Sequence, residues 1–600
     1  MRKYSDVLAG WLAGLGYSHC FFVAGGNIMH LLESCSHTMT CVPVVHEVAA
    51  GIAAEYFNQV HNHAKAFAMV TAGPGMTNIV TALAGAYLES RELLVIGGQV
   101  KTSDLARGAV RQRGIQEING VAIAAPITEK SILMDEIADR ATFAEMLRSG
   151  VRGRKGPVFL ELPLDVQGKL VNAENLTTPI AAHEPSFEPV RQDITTSVVI
   201  KLRKAARPVI LLGAGIERAT ARSLADSFAS LGIPLMLTWN AADRIAADHP
   251  LYFGRPNTWG MRYSNILIQQ ADVLLALGTR LGLQQTGFAW QKFIPDGEVI
   301  QVDCDAAELS KGHPHLAKSV CGDANRILLE LANANLGSHQ EWIDFCCAVR
   351  DSVPVVDAGN RTRKGYLSPY VFIEKLSALA STEDVIVPCS SGSAFTVMMQ
   401  TFAQKLGQRI VTNKGLAAMG YGLSGAIGAA FAAPGHRTIL IEGDGGFLQN
   451  LQELGTVMAN RLNIKVFLFD DNGYASIRMT QSNYFNGRYL GSDPQTGLGI
   501  PNWQRLFAAY DIPSMPLSAG YETDPDFLAA FRAPGPAAFL VHIDPQQTYY
   551  PKIASRMTSS GSMESDPLHR MTPELDEATE ARVLRYLPVL AGAGAARTRG

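Results

Sequence analysis

No run of apolar residues in this 600-residue chain is long enough to cross a bilayer, so a membrane-spanning helix is not expected. Excess charge of one sign is also missing. A net charge of -3 gives no electrostatic reason for a nucleic-acid or membrane partner, and none is expected. Cysteine is scarce: of eight, only Cys346 and Cys347 are adjacent, and no Cys-x-x-Cys pair suggests a zinc site. Free thiols in a reducing cytoplasm are the expectation, given where disulfides persist. No short-period repeat is visible, which argues against a solenoid. What remains is the composition of a globular protein, 47% hydrophobic and 18% charged. Six hundred residues exceed a single hydrophobic core, so three or four domains are expected.

The N-terminus, "MRKYSDVLAGWLAGLG", has the basic start and apolar stretch of a secretion signal. Asp6 interrupts it, however, and Val7, Leu8, Trp11, Leu12 and Leu15 fall at helical spacing. The spacing predicts an amphipathic first helix and a cytoplasmic protein.

Short apolar segments such as "KAFAMVTAG", "LLVIGGQ", "PVILLGAG", "VLLALG", "TILIEGDG" and "KVFLFDD" alternate with helical patterns. Continuous apolar strands of this kind belong to parallel sheets covered on both faces. Most end in Gly, Asp, Gln or Ser, at the carboxyl edge where open α/β sheets bind ligands. The expected fold class is therefore α/β, with three doubly wound parallel-sheet domains at about 1–170, 193–335 and 365–550. A linker containing proline and acids, "TTPIAAHEPSFEPVRQD", separates the first two, and the tail at 551–600 reads as partly loop and partly frayed. The first and third blocks both carry Gly-rich strand-to-helix turns, which hints at two related sheets around a different middle one.

The densest chemistry lies in the third block. In "LIEGDGGFLQNLQELGTV" a strand ends at Glu442, then Gly443, Gly445 and Gly446 turn the chain around Asp444 and a helix begins. Such a turn lets backbone approach a ligand and offers helix N–H groups to a phosphate. Asp444 would repel that phosphate unless a divalent cation bridged them, and Mg²⁺ prefers oxygens of both kinds. The next strand, in "FLFDDNGYASI", ends in Asp470, Asp471, Asn472 and Gly473. It returns Asp471 and the Gly473 carbonyl to the same rim. Two adjacent carboxylates at a strand end need a positive charge, and a metal–diphosphate pair between the two turns would supply it. Asn472 is the alternative ligand, one residue on.

The GDG turn, its helix and the Asp/Asn cluster together resemble the diphosphate and metal motif of thiamine diphosphate (ThDP) enzymes. Asp471 stands at the family spacing, 27 positions after Asp444, but Asp470-Asp471-Asn472 stands where the family usually has Asn-Asn. The resemblance implies that Asp444, Asp471 and Gly473 hold the metal, with Gly443, Gly445, Gly446, Tyr474 and Ala475 against the cofactor. It further implies that Glu47, after His46 in "VPVVHEVAAGIAAEYF", hydrogen-bonds the pyrimidine ring and promotes loss of the C2 proton. The small apolar residues that follow Glu47 predict its burial, which favours the protonated form. The turn in "VTAGPGMTN" matches the family's next landmark and puts Gly73, Pro74, Gly75 and Asn78 at the cofactor. The segments "LLVIGGQV" and "RGIQEI" resemble those that place Gln99 and Gln116 near the substrate, Gln116 beside Glu47 in the chemistry. In "NKGLAAMGYGLSGAIGAAF", Ala417 would offer its carbonyl to the aminopyrimidine and Met419 would wedge between the cofactor's rings.

The middle block opens on "PVILLGAGIERATA", which alone could be a dinucleotide turn. The following strand, "PLMLTWN", ends without the acid that would bind a ribose hydroxyl, which argues against NAD. This block instead resembles the FAD-binding middle domain of acetolactate synthases. The resemblance implies contacts to FAD from Gly213, Gly215, Thr238, Gly278, Arg280, Asp303, Asp305 and Asp323. After Arg280 stands "LGLQQTG", where those enzymes carry paired aspartates, and many relatives keep the domain with no flavin.

The resemblance to acetolactate-synthase-like ThDP enzymes spans residues 1 to about 550. It implies a ThDP- and Mg²⁺-dependent carboligase that decarboxylates a 2-oxo acid donor, pyruvate by default, and passes an acetyl unit to a carbonyl acceptor. It also implies a homodimer or homotetramer with active sites between subunits. Acetolactate synthases carry a Trp after the metal motif that selects the acceptor, and "ASIRMTQSNYFNGRYLGSD" has none. The polar residues there suit a hydroxylated acceptor, and the chain resembles branched-sugar enzymes that acetylate a nucleotide-linked 4-keto-deoxysugar. The alternatives are acetolactate synthase proper, a trihydroxycyclohexanedione-type hydrolase with the same cofactor, or a non-catalytic binding protein on this fold.

Overall fold

A computed structural model of the chain describes residues 1–180, 187, 190–557 and 563–587. Part of the expected linker (181–186, 188 and 189) and of the expected tail (558–562 and 588–600) lies outside the described residues. The chain forms two compact units: one comprises 1–186, 362–398 and 407–547, the other 187–361, 399–406 and 548–600.

The first unit holds two six-stranded parallel sheets. One runs in the order Thr40–Pro43, Tyr17–Phe22, Lys65–Val70, Leu93–Gln99, Pro157–Pro163, Lys130–Leu133. The other runs Arg409–Ile410, Val385–Pro388, Thr438–Gly443, Ile464–Asp470, Ala537–His542, Ser514–Pro516. Numbered along the chain, both orders are 2-1-3-4-6-5. The two sheets are copies of one plan, as the matching glycine turns suggested. Runs such as Ile439, Leu440 and Ile441 are fully buried because helices cover both faces. In each sheet the order reverses between the first and third strands, where open α/β sheets bind ligands.

Four helices of this unit matter for the site: α1 (Glu47–Val60), α2 (Pro74–Leu88), α3 (Tyr421–Ala432) and α4 (Ala475–Tyr484). Helix α3, YGLSGAIGAAFA, is built from small residues, so its backbone closes on α1. A Cβ added at Gly428 would lie 2.7 Å from the Ala53 Cα, and one at Gly425 would strike the Tyr56 ring. Beside this contact, buried Glu55 accepts hydrogen bonds from Arg91 at 2.7 Å, Asn413 at 3.1 Å and Tyr421 at 3.0 Å. These bonds tie the first block to the third. The N-terminal helix spans Tyr4–Gly14 and buries Val7, Leu8, Trp11 and Leu12, as its spacing predicted.

The second unit holds a five-stranded parallel sheet in the order Leu235–Leu237, Pro208–Leu212, Val273–Leu277, Glu298–Asp303, Lys318–Cys321, or 2-1-3-4-5. The described part of the tail, expected to be loop and fray, is packed structure in this unit. Lys552–Ile553 pairs antiparallel with Met571–Thr572, and Leu568 and Val583 are fully buried. The side-chain amides of Asn265 and Gln270 hold the Leu568 and Val583 carbonyls at 3.1 and 2.9 Å. Isolated apolar residues anchored by side-chain amides leave no periodicity to read. Among the described residues no helix is long and apolar enough to cross a membrane.

Candidate cofactor and active site

Glu47 opens α1. His46 is its N-cap, in extended conformation, and its ring Nδ1 accepts from the Val48 N–H at 3.3 Å. The Glu47 carboxylate is buried, and its Oε2 accepts from the Asn78 side chain at 2.9 Å. Asn78, expected at the cofactor, is thus also the residue that holds Glu47. It is placed by the glycine turn at the start of α2. Gly73 has φ +63°, and Pro74 occupies the first helical position, where its missing N–H costs nothing. A Cβ at Gly73 would come within 3.1 Å of the Gln116 carbonyl carbon, so the Gln116 main chain packs onto this turn. Gln116 itself is exposed with φ +63°. Its loop is fastened by a residue not singled out in the sequence: the Glu117 carboxylate accepts from the Arg113 and Gly114 N–H groups at 2.9 and 3.0 Å and from Ala106. Gln99 is buried, donates to the Ile118 carbonyl at 3.0 Å and accepts from the Val100 N–H at 2.9 Å. Nearby, burial pushes the Glu161 carboxyl up to about 7, and its buried Oε1 has no hydrogen-bond partner.

In the third block, Asp444 follows Gly443 and is fully buried. Its two oxygens accept from the Gly445 N–H at 2.7 Å and the Gly473 N–H at 2.9 Å, which locks the two turns together. Burial, then the Asp471 and Asp470 charges, holds the Asp444 carboxyl well above the ordinary range against those two amides. Asp471 is buried as well. Burial raises it to about 6, even though Arg478 donates to its Oδ1 at 2.8 Å. Arg478 also donates to the carbonyls of Asp471, Asn472 and Ser492, so it staples the whole metal loop. Asp470 pairs with His542 at 3.0 Å. The adjacent carboxylates therefore find protein partners: Arg478, seven residues on, and His542, whose imidazole the hydrogen bond to Asp470 shifts toward its charged form; the sequence pattern revealed neither. Among the described residues no group of three His, Cys, Asp or Glu side chains converges on a metal position. The site instead offers two buried carboxylates and a carbonyl: a Cβ at Gly445 would be 3.1 Å from the Gly473 oxygen. That donor set suits a hard divalent cation. Asn472 is exposed, whereas Asp471 is not.

The remaining glycines have separate reasons. Gly446 makes room for the Glu442 carboxylate, and Gly445 for the Tyr474 ring, while the side of Gly443 is open. Tyr474 donates its N–H to the Ser492 carbonyl at 2.9 Å, and Ala475 begins α4. Ala417 has φ +56°, a strained value for a residue with a Cβ. Met419 is 39% exposed, which does not fit a core filler, and its sulfur accepts from the Gln449 side chain at 3.8 Å.

In the second unit the expected flavin residues meet at the carboxyl ends of the strands. A Cβ at Gly213 or Gly215 would approach Gly278 to 2.7 or 2.8 Å, so these glycines let two turns interlock. Thr238 is buried and its N–H donates to the Leu212 carbonyl at 3.0 Å. Asp305 and Asp323 cap their own helices through the Ala307 and Asn325 N–H groups, and Asp303 accepts from the Asp305 N–H at 3.0 Å. Arg280 gives its carbonyl to Lys311. The signals taken for FAD thus have local structural uses, and they do not by themselves call for a flavin.

A duplicated 2-1-3-4-6-5 sheet pair, a buried acid spanning two glycine turns and a buried helix-leading glutamate define a ThDP-dependent enzyme. Comparison with protein families agrees: residues 2–123 match the N-terminal thiamine pyrophosphate binding domain, 195–331 the central domain and 390–541 the C-terminal binding domain. The chain belongs to the thiamine pyrophosphate enzyme family and is of the acetolactate synthase type. It is 28% identical to the acetolactate synthase isozyme 1 large subunit of Escherichia coli, over 88% of this chain and 92% of that one. It is 30% identical to a probable acetolactate synthase large subunit of Methanocaldococcus jannaschii (75% and 77% covered) and to an acetolactate synthase of Mycobacterium bovis (83% and 81%).

Proposed function

We propose that the chain is a ThDP- and Mg²⁺-dependent carboligase that decarboxylates a 2-oxo acid, pyruvate by default, and transfers the acetyl unit to a carbonyl acceptor. The observation that carries this reading is the Asp444 carboxylate bridging the Gly445 and Gly473 amides beside buried Asp471. Asp444, Asp471 and the Gly473 carbonyl would hold Mg²⁺, and the helix N-terminus at the glycine turn would receive the diphosphate. When bound, ThDP supplies the carbanion chemistry of decarboxylation and transfer. Glu47, oriented by Asn78, would hold and share a proton at the pyrimidine nitrogen. Ala417 would present its carbonyl to the cofactor's amino group, Met419 would pack between its rings, and Gln116 would face the substrate. As the family resemblance implies, the working site is formed by Glu47 of one subunit and Asp444 of another, in a homodimer or homotetramer.

The acceptor is a nucleotide-linked 4-keto-deoxysugar in this reading. The stretch Ile477–Leu490 supports it: it has no Trp and exposes Tyr484, Phe485 and Tyr489. The named activity of the relatives favours a second reading, in which another 2-oxo acid is the acceptor and acetolactate the product. FAD, if bound in the second unit, is structural, since acyl transfer passes it no net electrons; the purified protein is then yellow.

Incubation with ThDP, Mg²⁺ and pyruvate should release CO₂, and acetolactate in the absence of a sugar acceptor would favour the second reading. Glu47→Gln keeps the shape of the side chain but not its proton transfer. It should remove most exchange of the cofactor's C2 proton, read by NMR, with ThDP affinity kept. Unchanged exchange overturns the assignment of Glu47.

A further inference from the structure

Glu453 belongs to the helical segment that follows the glycine turn of the diphosphate site, nine residues after Asp444. It has no solvent exposure and no cationic side chain among the hydrogen-bond partners of its carboxylate. Its Oε1 accepts from the main-chain N–H groups of Val45 at 3.1 Å and His46 at 2.9 Å, and its Oε2 from Val45 at 3.2 Å and the Thr456 hydroxyl at 2.7 Å. Val45 and His46 are the last two residues before Glu47, and His46 is the N-cap of α1. A buried carboxylate from the third block thus occupies the N-terminal end of the helix that carries the catalytic glutamate in the first. Burying it without a countercharge is costly, and the arrangement places it where the helix dipole and free amides favour an anion. Among the described residues, the Glu47 carboxylate accepts a hydrogen bond only from Asn78, at its far end.

We infer that Glu453 is a positioning residue: it holds the Val45–His46 main chain so that the Glu47 carboxyl stays aimed at its proton-transfer partner. The inference rests on the reading of Glu47 given above. It makes the diphosphate segment of a chain the support for that chain's own Glu47. Shortening the side chain by one methylene withdraws the carboxylate from both amides but keeps the charge, whereas a Gln keeps an oxygen acceptor in place.

The test compares Glu453→Asp, Glu453→Ala and Glu453→Gln with wild type and Glu47→Gln. In the protein without cofactor, amide hydrogen exchange over residues 44–48 should rise at least tenfold in Glu453→Asp and Glu453→Ala. It should stay within about threefold of wild type in Glu453→Gln. With ThDP and Mg²⁺ added, exchange of the cofactor's C2 proton should fall at least tenfold in the Asp and Ala variants and recover in the Gln variant, with ThDP affinity unchanged within about threefold. If the Ala variant does not fold, the Asp variant carries the test alone. C2 exchange within twofold of wild type in the Asp variant overturns the inference. So does a loss of exchange that merely tracks lower cofactor affinity and melting temperature, which would mark a structural role. If Glu47→Gln itself exchanges normally, it is the reading of Glu47 that fails, while the amide data still report on the clamp.

Discussion

The approach of α1 to α3 can be tested with one added methyl group. In Gly428→Ala the new Cβ would stand 2.7 Å from both the Cα and the carbonyl carbon of Ala53, and closer still to its oxygen. Ordinary carbon contacts are about 3.5–4.0 Å, so the helices must separate by roughly 1 Å or more. Each is backed by its own sheet and cannot slide freely. Overpacking of this kind costs about 1–3 kcal/mol, occasionally more. Alanine returns about 1 kcal/mol through its better helix propensity, leaving a net loss of up to about 2 kcal/mol. Gly10 is the control. It lies in the exposed part of the helix Tyr4–Gly14, with no atom within 4 Å of its added Cβ. Gly10→Ala should therefore show only the propensity gain of about 0.5–1 kcal/mol. Urea unfolding followed by circular dichroism should move the two midpoints in opposite directions. If Gly428→Ala is as stable as Gly10→Ala, propensity alone governs both sites and the close helix contact is refuted.

Mixing Glu47→Gln chains with Asp444→Ala chains should restore about a quarter of wild-type turnover, because random pairing makes half the dimers mixed and gives each one intact site. No recovery in verified mixed oligomers would place both residues in a site within one chain. At Asp471, Asn should change activity modestly. It removes a charge worth on the order of 4 kcal/mol from both metal attraction and diphosphate repulsion, and these oppose. Asp471→Ala also strands buried Arg478, at about 3–5 kcal/mol, and should lose Mg²⁺ dependence in a metal titration. If it behaves as wild type while Asn472→Ala does not, Asn472 is the ligand. Glu161, raised to about 7 from an ordinary 4.5, binds its proton more tightly folded than unfolded. Its stabilising effect is therefore present below pH 4.5 and lost as pH rises toward 7, by up to about 3 kcal/mol. The melting temperature of wild type relative to Glu161→Gln should fall between pH 5 and pH 8, and a flat difference would show that Glu161 titrates normally.

Much of the molecule was legible in sequence because its signals are local. Apolar strands ending in glycine and acid marked the three sheets, and the helical spacing of Val7, Leu8, Trp11 and Leu12 marked the first helix. The Gly443–Asp444 turn and the Asp470–Asp471 strand end marked the site by their order alone. What escaped were partnerships that no local pattern specifies, several of them across long stretches of chain. Arg478 and His542 answer the two adjacent aspartates, Asn78 answers Glu47, and Glu453 reaches Val45 across 408 positions.

The sequence by itself determined strand and turn chemistry, because backbone conformation and burial on two faces depend on the residue and its near neighbours. Only the tertiary structure decided what each charged group does, because burial and distance set the energy of a charge. The same reason explains the middle sheet, where Gly213 and Gly215, read as room for a cofactor, are filled by the backbone of Gly278. A glycine specifies that something comes close, and the fold decides whether that is a ligand or another strand.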